Sequence, residues 1–388
     1  MPDLQRFGRT TFDGALRSIR TEGGEIGLAD DFMAAPSPEE LLAIYDGGFR
    51  GVQPETITTE ERHLFRDTMA AMPRLYEVFP WAKGIGKGKI SAPFLAALHF
   101  DPNWGGDEAQ QSGCCTVHGT INAATMDYAM DALMGETTWK GRLVKEVVWR
   151  SRGYNGDGWS CQAPSTWFGP TGRGGFLYRK VYEGPNGESL DFTKYSEAWC
   201  RNGRAGVPVW LLEICQQAKA QWIIPIGDPD EYRDAIALGF GVNICSGQGF
   251  SSSTDEFGVA DARGRWSHSM GHTACVDTEW ARSKYGDFLG GDQQSWGRWN
   301  KQSGKPEGIA KMATGMFFAR ARAIAGMLHG DDYAICGVAG WDREPSPFEK
   351  TTLLEHMRSS TVQDYYKARQ ERNHEIAEQA MAGEFLAA

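Results

Sequence analysis

A cysteine that lies two residues after a glycine and begins a helical pattern is the residue best placed to do chemistry. Cys115 stands in the stretch 110–119, which reads Gln-Gln-Ser-Gly-Cys-Cys-Thr-Val-His-Gly. The unpaired N–H groups and the positive dipole end of a helix start favour thiolate over thiol. The stretch therefore predicts a thiol nucleophile at Cys115. The alternative is that Cys114 and Cys115 are both small buried core residues, as most cysteines are.

A thiol nucleophile needs a base, and the base is expected from a distant part of the chain. His268 begins a strand-like run of small and apolar residues, and Gln294 follows it in the sequence. His118, one helical turn beyond Cys115, could tune the thiol but would be awkwardly placed as an in-line base. His272 faces the same side of a strand as His268 and is therefore a competing base.

Three motifs in this order resemble those of the papain-like cysteine peptidases. They are the nucleophile frame (Gly113, Cys115, Gly119, Thr120), the histidine motif (His268-Ser269-Met270) and a counterpart of Asn-Ser-Trp-Gly (Gln294-Ser295-Trp296-Gly297). The resemblance covers roughly residues 90–340. It implies an α+β papain-like domain of two lobes, one helical and one β-barrel-like, with N- and C-terminal extensions.

The resemblance also implies a role for each motif. Cys115 would attack as thiolate and form an acyl-enzyme, His268 would be its imidazolium partner, and Gln294 would orient the imidazole. The oxyanion would be met by the Cys115 backbone N–H and an upstream glutamine. The implied glutamines and substrate-binding residues are Gln110, Gln111, Asn155, Gly156, Asp157, Gly158 and Trp296.

The chain also departs from the family pattern. Ala109 occupies the usual position of the oxyanion glutamine, so the choice between Gln110 and Gln111 stays open. Thr116 replaces an aromatic residue after the nucleophile. Gln294 replaces asparagine and is one methylene longer, which changes how it reaches the imidazole.

The elements that position these residues follow from periodicity. Apolar residues recur at helical spacing from Val117 until Gly135 and predict an amphipathic helix with one buried face. Asp228 caps a second helix over 229–236, and short β-type runs follow at 241–245, 270–276 and 315–321.

The predicted division of the chain has three parts. They are an N-terminal extension (1–89), a papain-like domain (90–340, with the helical lobe at 90–225 and the β lobe at 226–340) and a C-terminal helical extension (341–388). That last segment is expected to be a surface helix or an arm reaching a partner.

Composition excludes several classes of function. The net charge of −10 argues against nucleic-acid and anionic-membrane binding, which need a basic face. We expect no signal peptide and no membrane span, because the N-terminus lacks an apolar run and no stretch approaches the ~20 apolar residues of a span. We also expect no cofactor and no metal, since none of the eight cysteines forms a CxxC pair. Reduced thiols are expected, and with them a cytoplasmic or virion-associated protein of possible viral origin.

Three functions remain open. The first is a thiol-dependent peptidase or amide hydrolase acting on peptide or protein substrates. The second is a structural or docking protein, for instance of a virion, that keeps a papain-like domain and binds protein partners through its two extensions. The third is acyl transfer by the same thiol.

Overall fold

The computed structural model describes residues 72–105, 108–169, 172–297, 304–328, 332–337, 354–355 and 357–385. The predicted N-terminal extension therefore lies mostly outside the described residues. The helices are α1 (Leu75–Val78), α2 (Phe94–Phe100), α3 (Cys115–Leu133), α4 (Lys145–Arg150), α5 (Ala163–Phe168), α6 (Glu197–Cys200), α7 (Val209–Cys215), α8 (Pro229–Ala237), α9 (Glu279–Tyr285), α10 (Ala321–Met327) and α11 (Ser360–Met381). Short 3₁₀ turns lie at Pro80–Ala82 and Gly203–Ala205.

The strands form one large sheet and one small hairpin. They are β1 (Ile90–Ser91), β2 (Val181–Glu183), β3 (Ser189–Asp191), β4 (Trp222–Pro225), β5 (Val242–Thr254), β6 (Ala260–Val276), β7 (Leu289–Gln293), β8 (Met316–Arg320) and β9 (Tyr333–Cys336). Among the described residues, seven strands pair antiparallel in the order β4-β9-β5-β6-β7-β8, with β1 on β6, while β2 pairs with β3. The predicted α+β class is confirmed.

The long hairpin of β5 and β6 curls back over the sheet. An isolated parallel bridge joins Val259 to Phe318 of β8, and the Phe318 N–H donates to the Gly258 carbonyl at 2.9 Å. Register shifts interrupt the β5–β6 pairing near its far end, where bulges increase local twist. This contact gives the strands the barrel-like curl that the sequence predicted for the second half of the chain. The lobe boundaries themselves stay predictions.

Helix α3 is the centre of the fold, and its environment differs from the prediction. The helical pattern predicts one buried face, but every residue from Cys115 to Asp131 is buried. The sheet, α2 and α4 contact it on several sides. Its acidic side is covered by α11, whose Arg369 contacts both Asp127 and Asp131.

The C-terminal helix α11 packs against the core of its own chain. Seven of its residues are buried: Tyr366, Arg369, Gln370, Asn373, Ile376, Ala377 and Ala380. The Asn373 amide donates to the carbonyls of Ile236 and Ala237 at the end of α8. Of the two expectations for this segment, this packing favours a helix on the surface of its own chain, and an arm reaching a partner stays a prediction.

Cys161 and Cys245 form a disulfide, which corrects the expectation of reduced thiols at these two positions. The sequence gives no signal for this pair, because 84 residues separate the two cysteines and only the fold of β5 against the segment before α5 brings them together. Disulfides persist mainly in oxidising compartments, so the expectation of a cytoplasmic protein loses the support it took from reduced thiols. The other six cysteines are free and buried.

We expect the double variant Cys161→Ser/Cys245→Ser to lose about 2–4 kcal/mol of unfolding free energy, because a long closed loop restricts the unfolded chain. Chemical denaturation monitored by circular dichroism measures the loss. The wild-type protein in excess reductant should show the same lowered midpoint, whereas an unchanged midpoint would mean that the bridge does not form in solution.

Among the described residues, none of the helices combines the length and the apolar character that crossing a bilayer requires.

Candidate active site

Cys115 is the first residue of α3, as the sequence predicted, and Cys114 is the N-cap residue. The side chain of Cys115 is buried, and one turn further along α3 a Cβ added at Gly119 would lie 2.6 Å from the hydroxyl of Ser269. The helix start therefore faces the strand residue that directly follows His268. This contact brings the nucleophile motif and the histidine motif to one place.

The side chain of His268 is held by the glutamine that the sequence placed third. His268 lies on β6, and its Nε2 lies 2.5 Å from Oε1 of Gln294, which directly follows β7. The same oxygen accepts the Ser295 N–H at 2.8 Å, while the Gln294 N–H donates to the carbonyl of Gly315 at 3.1 Å. Gln294 is thus fixed at both its backbone and its side chain, and the imidazole is oriented by it.

Two glycines allow α3 to approach β6 closely. A Cβ added at Gly119 would lie 2.6 Å from the Ser269 hydroxyl and 2.4 Å from Oδ1 of Asn243. A Cβ added at Gly271 would lie 2.8 Å from the Gly119 carbonyl. Since real side-chain carbons do not come so near, glycine at both positions is what lets the helix lie against the strand. This close packing of a helix start against a strand is what the predicted papain-like arrangement requires.

Burial favours the neutral forms of both Cys115 and His268. It raises the pKa of Cys115 to about 12, opposed by hydrogen bonds from the backbone of Ser269 and Thr116. Burial also lowers the pKa of His268 to about 4, opposed by the hydrogen bond to Gln294. The helix start alone does not outweigh desolvation here, so the expected thiolate–imidazolium pair is not the favoured form of the closed site.

Cys114 differs sharply from its neighbour. Its Sγ lies 3.2 Å from Oε1 of Glu197, to which the thiol donates. Burial and the negative charge of Glu197 hold the pKa of the Cys114 thiol well above its usual range. A thiol hydrogen-bonded to a carboxylate is a poor nucleophile, so Cys115 is the better candidate nucleophile of the two.

Two tryptophans cover the imidazole. The ring of Trp296 lies 4.5 Å from that of His268, centroid to centroid, with the planes 33° apart. Trp266 lies 5.8 Å from His268 and 5.1 Å from Trp296, in both cases edge to face. Trp296, predicted to bind substrate, therefore packs against the imidazole of His268, the predicted base, and contributes to its burial.

Of the two candidate oxyanion glutamines, one is buried at the site and one is exposed. Gln110 is buried, its Nε2 donates to the Ser112 carbonyl at 2.8 Å, and its Oε1 accepts from the Ser295 hydroxyl. Its backbone N–H also donates to the Ser295 carbonyl at 2.8 Å. The side chain of Gln111 is exposed, and its backbone N–H donates to Glu197.

The predicted substrate loop lies directly against the nucleophile loop. Gly113 donates its N–H to Oδ1 of Asp157 at 3.0 Å, and its carbonyl accepts the Gly158 N–H at 2.9 Å. The Gly158 carbonyl accepts from the hydroxyl of Tyr154. Both backbone groups of Gly158 are therefore hydrogen-bonded within the chain, whereas Asn155 and Gly156 are exposed.

His272, the competing base, lies on the same strand as His268 but belongs to a different buried group. Its Nε2 lies 2.8 Å from Oδ1 of Asp292, and its Nδ1 lies 3.2 Å from the Tyr232 hydroxyl. Burial raises the pKa of Asp292 above its usual value, and the neighbouring imidazole opposes that shift. Both ring nitrogens of His272 are thus occupied, and neither remains for a thiol.

A second buried cluster lies behind the nucleophile, and the sequence reading missed it. Ligand-type atoms of Cys114, His118 and Glu197 all lie within 4.8 Å of one another. The hydroxyl of Tyr195 lies 2.9 Å from His118 Nε2 and 2.6 Å from Glu197 Oε1. The available signal was the Cys-x-x-x-His spacing, which places both side chains on one helix face, but nothing in the sequence indicated the distant glutamate.

No protein-family model and no curated protein matches the sequence. Among solved structures, similar ones include xylellain, a cysteine protease from Xylella fastidiosa, at 10% identity over 74% of this chain and 95% of that chain, with a TM-score of 0.46. The proform of the ragweed pollen allergen Amb a 11, a cysteine protease, is 12% identical over 84% of this chain and 94% of that chain, with a TM-score of 0.42. A digestive procathepsin L 3 from the larval midgut of Tenebrio molitor is 11% identical over 85% of this chain and 98% of that chain, with a TM-score of 0.33.

Proposed function

We propose that this protein is a thiol-dependent hydrolase of peptide or amide bonds, with Cys115 as nucleophile, His268 as acid and base, and Gln294 as the positioning residue. One observation carries the proposal. The first turns of α3, which begin at Cys115, pack against Ser269 of β6, while the adjacent imidazole of His268 is held through Nε2 by Gln294. With Nε2 so engaged, Nδ1 is the ring nitrogen that would exchange a proton with the thiol.

The reaction would proceed in two halves. In the first, the Cys115 proton moves to His268, a bond forms between sulfur and the acyl carbon, and the carbonyl becomes an oxyanion. Collapse of this intermediate breaks the C–N bond while His268 returns the proton to the leaving amine, so a thioester remains. In the second half, water gives a proton to His268 while its oxygen bonds to the acyl carbon. The C–S bond then breaks and His268 returns the proton to the sulfur, which leaves a carboxylic acid and the free thiol.

Gln110 is the better of the two proposed oxyanion donors. It is buried, and its Nε2 uses one hydrogen on the Ser112 carbonyl, whereas an amide nitrogen carries two. The hydroxyl of Ser295 fixes the amide oxygen, so the remaining N–H has a defined direction. Donors of this kind matter because they meet charge that develops only in the transition state.

Opening of the site would activate the pair. Burial is the largest cause of both the raised pKa of Cys115 and the lowered pKa of His268. Entry of solvent or a polar substrate removes part of that burial, so both pKa values return toward those that permit a thiolate–imidazolium pair. Without a ligand, Cys115 is therefore a neutral thiol. Entry of a ligand lowers its pKa and makes the sulfur nucleophilic.

Alkylation of the native protein with iodoacetamide, followed by mass spectrometry of each cysteine, tests the assignment. We expect Cys115 to be modified faster than the five other free cysteines at neutral pH. The His268→Ala variant should remove this preference while leaving the other five rates unchanged. Preferential alkylation of Cys114, or no preference at all, would contradict the assignment.

Truncating the side chain of Gln294 should lower both kcat and the pKa of His268. We expect Gln294→Ala to lower kcat by about 100-fold, since positioned acid–base groups contribute at least that much. Gln294→Asn should recover part of the loss, because it retains the amide at a shorter reach. The hydrogen bond to Gln294 raises the pKa of His268. Its loss in the alanine variant should lower that pKa and move the acidic limb of the pH–rate profile to lower pH. A lowered kcat with an unshifted profile would indicate a merely structural role.

The docking alternative depended on two extensions that reach a partner. Helix α11 packs on its own chain, and residues 1–71 lie outside the described part, so the described residues give this alternative no specific support. Acyl transfer uses the same thiol and the same first half-reaction. An amine substrate that competes measurably with water for the thioester would favour transfer over hydrolysis.

A further inference from the structure

The buried cluster behind the nucleophile has the composition of a transition-metal site. Cys114 and His118 lie one turn apart at the start of α3, and Glu197 begins α6. All three side chains are buried, with no more than 2% of their surface exposed. A thiolate, an imidazole and a carboxylate are the ligand types that zinc takes in proteins.

The distances between the three ligand atoms are close to those of a tetrahedral zinc site, so a small inward movement of the side chains would bind an ion. Tetrahedral zinc, with bonds of about 2.0–2.3 Å, places its ligand atoms roughly 3.3–3.8 Å apart. The sulfur of Cys114 already lies 3.2 Å from Glu197 Oε1, and the three ligand atoms lie within 4.8 Å of one another. The Tyr195 hydroxyl lies beside these atoms, at 2.9 Å from Nε2 of His118 and 3.7 Å from the sulfur of Cys114. It is therefore placed to supply the fourth donor.

The carboxylate of Glu197 provides an independent observation. Its Oε1 accepts from Cys114, from the Tyr195 hydroxyl and from the Gln111 N–H, whereas its buried Oε2 accepts no hydrogen bond from the described residues. The guanidinium of Arg201 lies 3.9 Å from Oε2, but that side chain is 58% exposed and screened by water. A buried carboxylate oxygen left without a close partner is costly unless a cation meets it.

We propose that Cys114, His118 and Glu197, completed by Tyr195, bind one divalent zinc-type cation. On binding, Cys114 loses its proton to solvent, so that the thiolate and the carboxylate together balance the two positive charges. The ion would join the start of α3 to α6. Since Glu197 also holds the Gln111 N–H, the ion would fix the loop that presents Cys115.

The test uses the full chain and two probes, Zn²⁺ for content and Co²⁺ for spectroscopy. We expect one Zn²⁺ per chain after dialysis, and a sulfur-to-cobalt charge-transfer band with Co²⁺. The band should persist in Cys115→Ser, the matched control one residue away, and disappear in Cys114→Ser. His118→Gln and Glu197→Gln should each weaken Zn²⁺ binding by at least about 100-fold.

Circular dichroism of each variant separates loss of the site from loss of the fold. If Cys114→Ser does not fold, Glu197→Gln and the Cys115→Ser control still decide the matter. A folded wild-type chain that takes up no stoichiometric Zn²⁺ would overturn the proposal. So would a cobalt band that disappears in Cys115→Ser and persists in Cys114→Ser, because the metal would then bind at the nucleophile.

Discussion

Replacing Cys115 with serine is expected to lower peptide hydrolysis by at least about 1,000-fold, since nucleophile loss in a catalytic triad removes most of the rate. The change is nearly isosteric, and the site keeps the helix start and the contact with Ser269. A fluorogenic peptide library measures the effect. Cys215→Ser, a buried cysteine in a separate apolar cluster, serves as the control and should retain wild-type activity.

The contrast between the two variants is the informative part. Equal hydrolysis by wild type and Cys115→Ser would assign the activity to another group or to a contaminant. If Cys115→Ser and Cys215→Ser both lose activity while they remain folded, the hydrolysis does not depend on Cys115 alone as its nucleophile. Cys114→Ser is unsuited as a control, because Cys114 belongs to the cluster that holds the nucleophile loop.

Arg369→Met is expected to destabilise the protein by about 3–5 kcal/mol, because it leaves two buried carboxylates without their cation. The guanidinium lies 2.8 Å from Asp127 and 2.6 Å from Asp131, and it also donates to the Gly239 carbonyl at 2.9 Å. All three ionic side chains are almost completely buried. Removing the charge from α11 therefore weakens its attachment to the central helix α3.

The loss should depend on pH in a defined direction. Burial, together with the charge of Asp127, raises the pKa of Asp131 to about 7. A carboxyl whose pKa is higher in the folded state binds more protons there, so its ionisation destabilises the fold as the pH rises through that value. The variant, lacking the opposing guanidinium, should lose more stability at pH 8 than at pH 5.

Urea denaturation at the two pH values measures this effect. Lys367→Met is the matched control on the same helix, since its ion pair with Asp364 is exposed and should leave the midpoint unchanged. A loss in Arg369→Met no greater than that in Lys367→Met would show that α11 is held by its apolar face alone.

Local signals predicted the parts of the fold that local physics controls. The glycine before Cys115 and the apolar spacing after it predicted α3, and Asp228 predicted α8 through a cap whose carboxylate accepts from Asp230 and Glu231. The pairing of His268 with Gln294 was accessible because both lie in recognisable motifs on neighbouring strands.

The features that the sequence could not reveal depend on contacts between distant segments. The Cys161–Cys245 bridge, the Glu197 contact with Cys114 and the insertion of Arg369 beside α3 all join residues far apart in the chain. The protonation states of Cys115 and His268 could not be predicted from the sequence either. A helix start favours thiolate, but only the folded structure shows how completely Cys115 and His268 are removed from water.

The pH dependence of Cys115 alkylation tests the central claim most directly, because it reports proton exchange between Cys115 and His268 without needing a substrate. With the pair coupled in the open site, the rate should already be high near pH 5–6 and stay level through neutral pH. In His268→Ala it should rise only as an ordinary thiol ionises, near pH 9 or above. A wild-type profile that coincides with that of His268→Ala would contradict the account.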